Sequence, residues 1–225
     1  NETEIDNLLA AIKSHETLNL VGIEFYEGVI HNKNEVQEIT EFVAYVVNLS
    51  QKMNAQGHFS IDKNEKPIIT GAGSAWYDLV AEGLTTLKEE FNCLIRPGCY
   101  GAHDVGIYQD AQNKVRARST VACSINAGRD LESALEVWAT VQSIPEKGLA
   151  VIAMGKRDIA FDAGLPTPQL LIKRGSKKAI ALTQGKITDI MDQHAFFNFK
   201  TEFDKNTLEL AVGDVIAFAC SHPCL

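Results

Sequence analysis

Ile68-Ile69-Thr70-Gly71-Ala72-Gly73-Ser74 takes a short apolar run into a glycine turn, and helical spacing resumes at once from Ala75. That order, strand then turn then helix, is one β/α unit. The same alternation extends to either side. Upstream, residues 4–14 space Ile5, Leu8, Leu9 and Ile12 along one helical face. Residues 18–26 read as a strand. Residues 35–54 repeat Val36, Ile39, Phe42, Val43, Val46, Val47 and Leu49 at helical spacing. Downstream, residues 75–87 read as a helix. Cys93-Leu94-Ile95 reads as a strand ended by Arg96-Pro97-Gly98. A β-α-β-α-β order predicts a parallel sheet with right-handed crossovers.

The period then changes. Residues 132–143, 149–154, 170–173, 179–182, 187–190 and 215–219 read as short strands separated by Gly, Pro, Lys and Asp turns. They predict an antiparallel β domain. The boundary falls between about Lys114 and Arg129, giving expected domains of 1–118 and 119–225. A complete eight-stranded β/α barrel takes about 250 residues. Only three strands precede the β domain here. A small complete α/β sheet would satisfy that count, and part of a barrel is the sharper expectation.

Composition narrows the function classes. The 225 residues are 45% hydrophobic and 22% charged, as in ordinary globular proteins. A net charge of -8 offers nothing to nucleic acid or an anionic membrane. The short basic run Lys173-Arg174-Gly175-Ser176-Lys177-Lys178 reads as a solvated loop. No stretch approaches about 18 consecutive apolar residues, so no transmembrane helix is expected. Cys93, Cys99, Cys123, Cys220 and Cys224 are odd in number and lack framework spacing. Reduced thiols in a cytoplasmic protein are the expectation.

Two features carry chemistry. Gly71-Ala72-Gly73-Ser74 and Arg96-Pro97-Gly98-Cys99-Tyr100-Gly101 are glycine turns after consecutive strands. Glycines admit an anion close to backbone N–H groups, and barrel enzymes often hold phosphate between the loops after their last strands. A plain strand-to-helix connection is the bland alternative for each. The tail Cys220-Ser221-His222-Pro223-Cys224 follows the apolar run Val215-Ile216-Ala217-Phe218-Ala219. If the strand continues, Cys220, His222 and Cys224 share a face and form a zinc-type ligand set.

These motifs together resemble the fold-type III pyridoxal-phosphate enzymes, the alanine-racemase-like barrels. Arg96 to Gly101 looks like their final barrel strand and phosphate turn. The tail from Val212-Gly213-Asp214-Val215 to Ser221-His222-Pro223-Cys224 looks like the metal motif of the D-serine dehydratase and D-threonine aldolase branch. Gly22-Ile23-Glu24-Phe25-Tyr26-Glu27-Gly28, Gly155-Lys156-Arg157-Asp158 and Asp162-Ala163-Gly164-Leu165-Pro166 are similar to further segments of that branch. The likeness runs nearly end to end. It implies the C-terminal part of a β/α (TIM) barrel followed by an antiparallel β domain. The family's Schiff-base lysine lies in a basic His- and Lys-rich motif that does not occur here. The expectation is therefore the C-terminal portion of an enzyme, beginning after that motif and stopping just past Cys224.

The resemblance also implies roles. Gly73, Ser74, Gly98 and Cys99 would contact the pyridoxal 5'-phosphate phosphate through backbone N–H groups. Arg96 would approach the pyridine nitrogen, against the alternative of a strand-end salt bridge. Tyr100 would pack on the cofactor, against the alternative of a core tyrosine. His222 and Cys224 would hold Zn2+ or another divalent metal, with Cys220 left to the core. His194 would lie near the substrate or in a surface loop. The implied activity is a lyase on D-β-hydroxy amino acids, dehydratase-like because the resemblance associates His-x-Cys with that side and His-x-Asp with the aldolase side, with aldol cleavage as the alternative; the Cys224 thiolate suits zinc. A binding module without the lysine is a third reading. A homodimer is the implied assembly.

Overall fold

A computed structural model of the chain describes residues 2–31, 33–119, 131–199 and 208–222. The chain divides into two compact units, residues 1–97 with 119–122, and residues 98–118 with 123–225.

The first unit begins with α1 (Glu2–Lys13) and then builds a three-stranded parallel sheet. Its strands are β1 (Gly22–Glu24), β2 (Ile68–Gly71) and β3 (Asn92–Ile95), in that spatial order. β2 is central, with Ile68 to Thr70 beside β1 and Ile68 to Gly71 beside β3. The β1–β2 crossover carries α2 (Glu35–Ala55), and the β2–β3 crossover carries α3 (Tyr77–Leu84) and a 3₁₀ turn, Thr85–Leu87. α2 buries Ile39, Val43, Val46, Ser50 and Met53, alternate three- and four-residue steps that mark one helical face. The buried Ser50 hydroxyl is satisfied by donating to the Val46 carbonyl at 2.8 Å.

Local departures have local causes. The expected strand over 18–26 shrinks to Gly22–Glu24. Leu20 and Val21 still present carbonyls to the N–H groups of Ser60 and Ile68, but outside a regular ladder. The expected helix over 75–87 tightens into 3₁₀ geometry at its last turn, a common helix ending.

The second unit starts with a 3₁₀ turn, Gly98–Tyr100, and α4 (Ile107–Arg118). Seven antiparallel strands follow: β4 (Glu136–Glu146), β5 (Leu149–Ile152), β6 (Thr167–Ile172), β7 (Ala179–Ala181), β8 (Lys186–Ile190), β9 (Ala195–Asn198) and β10 (Val215–Ala219). Their order is β7-β6-β10-β4-β5-β9-β8. β10 pairs with β4 on one side and β6 on the other. Its unbroken apolar run suits a strand covered on both faces. The core gathers Val141, Ile152, Met154, Leu171, Phe197, Ile216 and Phe218, among others. The Phe197 and Phe218 rings meet edge to face at 6.2 Å. The sequence reading did not anticipate α4 or β9. α4 buries only Gln112 and Val115, too little to stamp a clear apolar period on the sequence.

Asp214 opens β10 and is almost wholly buried. Its carboxylate accepts from Lys173 Nζ at 2.7 Å, from the Arg174 N–H at 2.8 Å and from the Ala211 N–H at 2.9 Å. Burial alone would raise its pKa. The three hydrogen bonds and the Lys173 charge outweigh that and hold the carboxyl below the ordinary carboxylate range.

Candidate functional site

In the first unit the candidates lie at the carboxyl ends of the parallel strands, where ligands of such sheets bind. Arg96 follows β3. Its side chain is 43% exposed and ion-paired to Glu24 Oε1 at the end of β1. It also donates to Thr70 Oγ1 at 3.2 Å and to the Phe25 carbonyl at 3.0 Å. The strand-end salt bridge weighed for Arg96 is thus present. Gly73 sits in the turn after β2, where Ala72 holds φ at +74°. The Gly73 N–H donates to Glu27 Oε1 at 2.6 Å. An anion approaching that N–H would meet a carboxylate already bound there. Ser74 is half-buried in the same turn. Glu27 is fully buried, and its Oε2 has no hydrogen-bond partner. Nothing in Tyr26-Glu27-Gly28 signals a buried acid.

In the second unit the candidates gather around the end of β10. Gly98 faces open space, Cys99 is buried and Tyr100 half-buried in the 3₁₀ turn. The Cys99 carbonyl accepts from the His103 N–H at 2.7 Å. His103, with φ at +50°, leads into Asp104, which has no exposed surface. Asp104 Oδ1 caps the start of α4, accepting from the N–H groups of Gly106 at 2.9 Å, Tyr108 at 3.0 Å and Gln109 at 3.4 Å. Its Oδ2 lies 3.6 Å from His222 Nδ1. The Tyr108 and His222 rings are 5.3 Å apart. At Gly106 a Cβ would come within 2.6 Å of the Ser221 carbonyl oxygen, so only glycine lets these two segments meet.

The tail corrects one expectation. β10 ends at Ala219, so His222 does not extend its alternation. The chain turns off the ladder, and the Cys220 carbonyl accepts instead from the Val105 N–H at 3.3 Å. Cys220 packs in the core, and burial pushes its thiol pKa up, with the Asp104 charge adding to the rise. Cys224 lies outside the described residues, as does Cys123. Among the described residues, Cys93, Cys99 and Cys220 form no disulfide with one another. His194 stands in the β8–β9 turn with its ring edge-on to Phe196.

For a metal, the buried side-chain atoms without hydrogen-bond partners among the described residues are Glu27 Oε2, His103 Nε2, Asp104 Oδ2, Ser221 Oγ and His222 Nδ1. All but the first lie in His103-Asp104 and Ser221-His222. A buried carboxylate facing one ring nitrogen of an imidazole suits a histidine that binds a cation through its other nitrogen. No group of three or more His, Cys, Asp or Glu side chains able to hold a metal occurs among the described residues. For an anionic cofactor, the half-exposed Arg96 guanidinium of the first unit fits. Gly73, in this arrangement, does not.

Residues 134–225 match the family model of the putative serine dehydratase domain. The fold is shared with the D-threonine aldolase from Filomicrobium marinum, at 18% identity and a TM-score of 0.59, over 96% of this chain and 48% of that one. It is shared too with an alanine racemase-like protein from Idiomarina loihiensis, at 12% identity and a TM-score of 0.52, over 96% of this chain and 52% of that one. The chain spans about half the length of each. No curated protein matches it. The serine dehydratase-like domain and the two fold likenesses bear out the resemblance to the C-terminal portion of fold-type III pyridoxal-phosphate enzymes.

Proposed function

We propose that this chain is the C-terminal part of a lyase for D-β-hydroxy amino acids that uses pyridoxal phosphate and a divalent metal. The observation that carries the reading is the serine dehydratase-like domain, whose matched residues include both His222 and Cys224. The three-stranded unit is read as part of a β/α barrel, and the assembly as a cytoplasmic homodimer.

The cofactor, when bound, stabilises negative charge at the substrate Cα. The metal supplies a Lewis acid for the β-hydroxyl. The residues do the rest. Arg96 presents a delocalised, permanently charged guanidinium to an anionic or acceptor group. Its pairing with Glu24, Thr70 and Phe25 fixes where that charge points. Backbone N–H groups of Ser74, Gly98 and Cys99 are the candidate phosphate donors. Gly73 joins them only if Glu27 releases it. Tyr100 borders the same turn. His222 and Cys224 would hold the metal, and a thiolate favours zinc over manganese or magnesium.

By resemblance, a His-x-Cys pair goes with the dehydratase side and a His-x-Asp pair with the aldolase side, which favours β-elimination of the hydroxyl over aldol cleavage. Product analysis separates the two. The intact enzyme should give a keto acid and ammonia from D-serine. Glycine and an aldehyde from D-threonine would establish the aldolase instead. Metal binding without either reaction would leave a binding module.

A further inference from the structure

We propose that Asp104 is a positioning residue that sets the tautomer and direction of the His222 imidazole, a role resting on the metal reading above. Three observations carry it. First, Asp104 is rigid: its Oδ1 accepts from three N–H groups at the start of α4. Second, its Oδ2 is buried, lacks a hydrogen-bond partner and stands 3.6 Å from His222 Nδ1, which also lacks one. Third, leaving such atoms buried and unpaired is unfavourable, so a helix cap alone does not account for an acid whose second oxygen faces a ring nitrogen.

The capping bonds leave Asp104 no freedom to turn away. A closure of about 0.5 Å would bring Oδ2 and Nδ1 into hydrogen-bond range. A carboxylate can only accept, so the proton sits on Nδ1 and the lone pair on Nε2. Nε2 is then the nitrogen offered to a metal. A carboxylate behind a metal-binding histidine orients the ring and raises its basicity. The sequence hides this pairing because Asp104 and His222 are far apart in the chain.

Asp104→Asn separates this role from the cap. Its amide oxygen still accepts from α4, leaving the NH2 group facing Nδ1. An NH2 group donates, so Nδ1 must become the acceptor and the proton must move to Nε2. Nitrogen-15 NMR of the neutral imidazole in the metal-free chain reads this directly. The expected result is Nδ1–H in wild type and Nε2–H in Asp104→Asn, with thermal stability nearly unchanged. Zinc affinity, measured by chelator competition, should fall about 10- to 100-fold. An unchanged tautomer, or unchanged zinc affinity in Asp104→Asn while His222→Ala abolishes binding, overturns the role of Asp104 alone. Zinc binding that His222→Ala leaves intact overturns the metal reading and this inference with it. If Asp104→Asn fails to fold, Asp104→Glu serves as the second variant: it keeps the charge and should keep Nδ1–H, and Nε2–H there would refute the proposal.

Discussion

β10 and β3 are both short apolar strands, yet their surroundings differ. In β10, Ile216, Ala217 and Phe218 have no exposed surface. In β3, Leu94 is 51% and Ile95 43% exposed. The residue types do not explain this. β10 has a hydrogen-bonded neighbour on each side, whereas β3, among the described residues, pairs only with β2. Position in the sheet, not hydrophobicity, decides what a strand buries. The antiparallel unit gathers one continuous core; the parallel unit buries one face of α2 and leaves an edge strand bare. A bare apolar edge is the form expected of a sheet that something else covers.

The largest expected effect attacks the buried side of this contrast. Phe218→Ala should destabilise the chain by about 3–5 kcal/mol in denaturant unfolding. Leu94→Ala should cost no more than about 0.5 kcal/mol. A comparable loss for Leu94→Ala would show that β3 is covered in solution and remove the contrast.

Asp214 comes next, because it anchors the start of the buried strand. Asp214→Ala should cost about 2–3 kcal/mol, kept below a fully buried pair by the exposure of Lys173. Its pH dependence follows from its lowered pKa. The stabilisation is complete above the ordinary carboxylate value and is lost as pH falls through the folded one. Stability scans across acid pH should therefore lose part of their slope in Asp214→Asn. An unchanged slope would remove Asp214 from the account.

Smaller still is the cap. Asp104→Ala should cost about 1 kcal/mol, while Asp104→Asn should cost almost nothing. Equal losses would mean the negative charge, not the capping oxygen, stabilises α4.

How far the sequence revealed these features follows from where each interaction lies. The helical face of α2 and the apolar run of β10 repeat at short range, so their periods show. Asp104 and His222 meet across distant segments, and no spacing announces them. The signal available for Asp104 was its place ahead of an uncapped helical run. Glu27 left none, because an acid beside a glycine reads as a turn. The strand alternation extended through Cys220 failed because hydrophobic pattern does not mark where a ladder ends. That end is set by the Val105 N–H, far back in the chain.

The proposed divalent-metal pair is His222 and Cys224. Zinc content of the purified chain, compared with His222→Ala and Cys224→Ser, tests it most directly. The account predicts equimolar zinc in wild type and loss in both variants, with a cobalt–thiolate charge-transfer band that disappears in Cys224→Ser. Undiminished zinc in Cys224→Ser, or none in wild type, would contradict it.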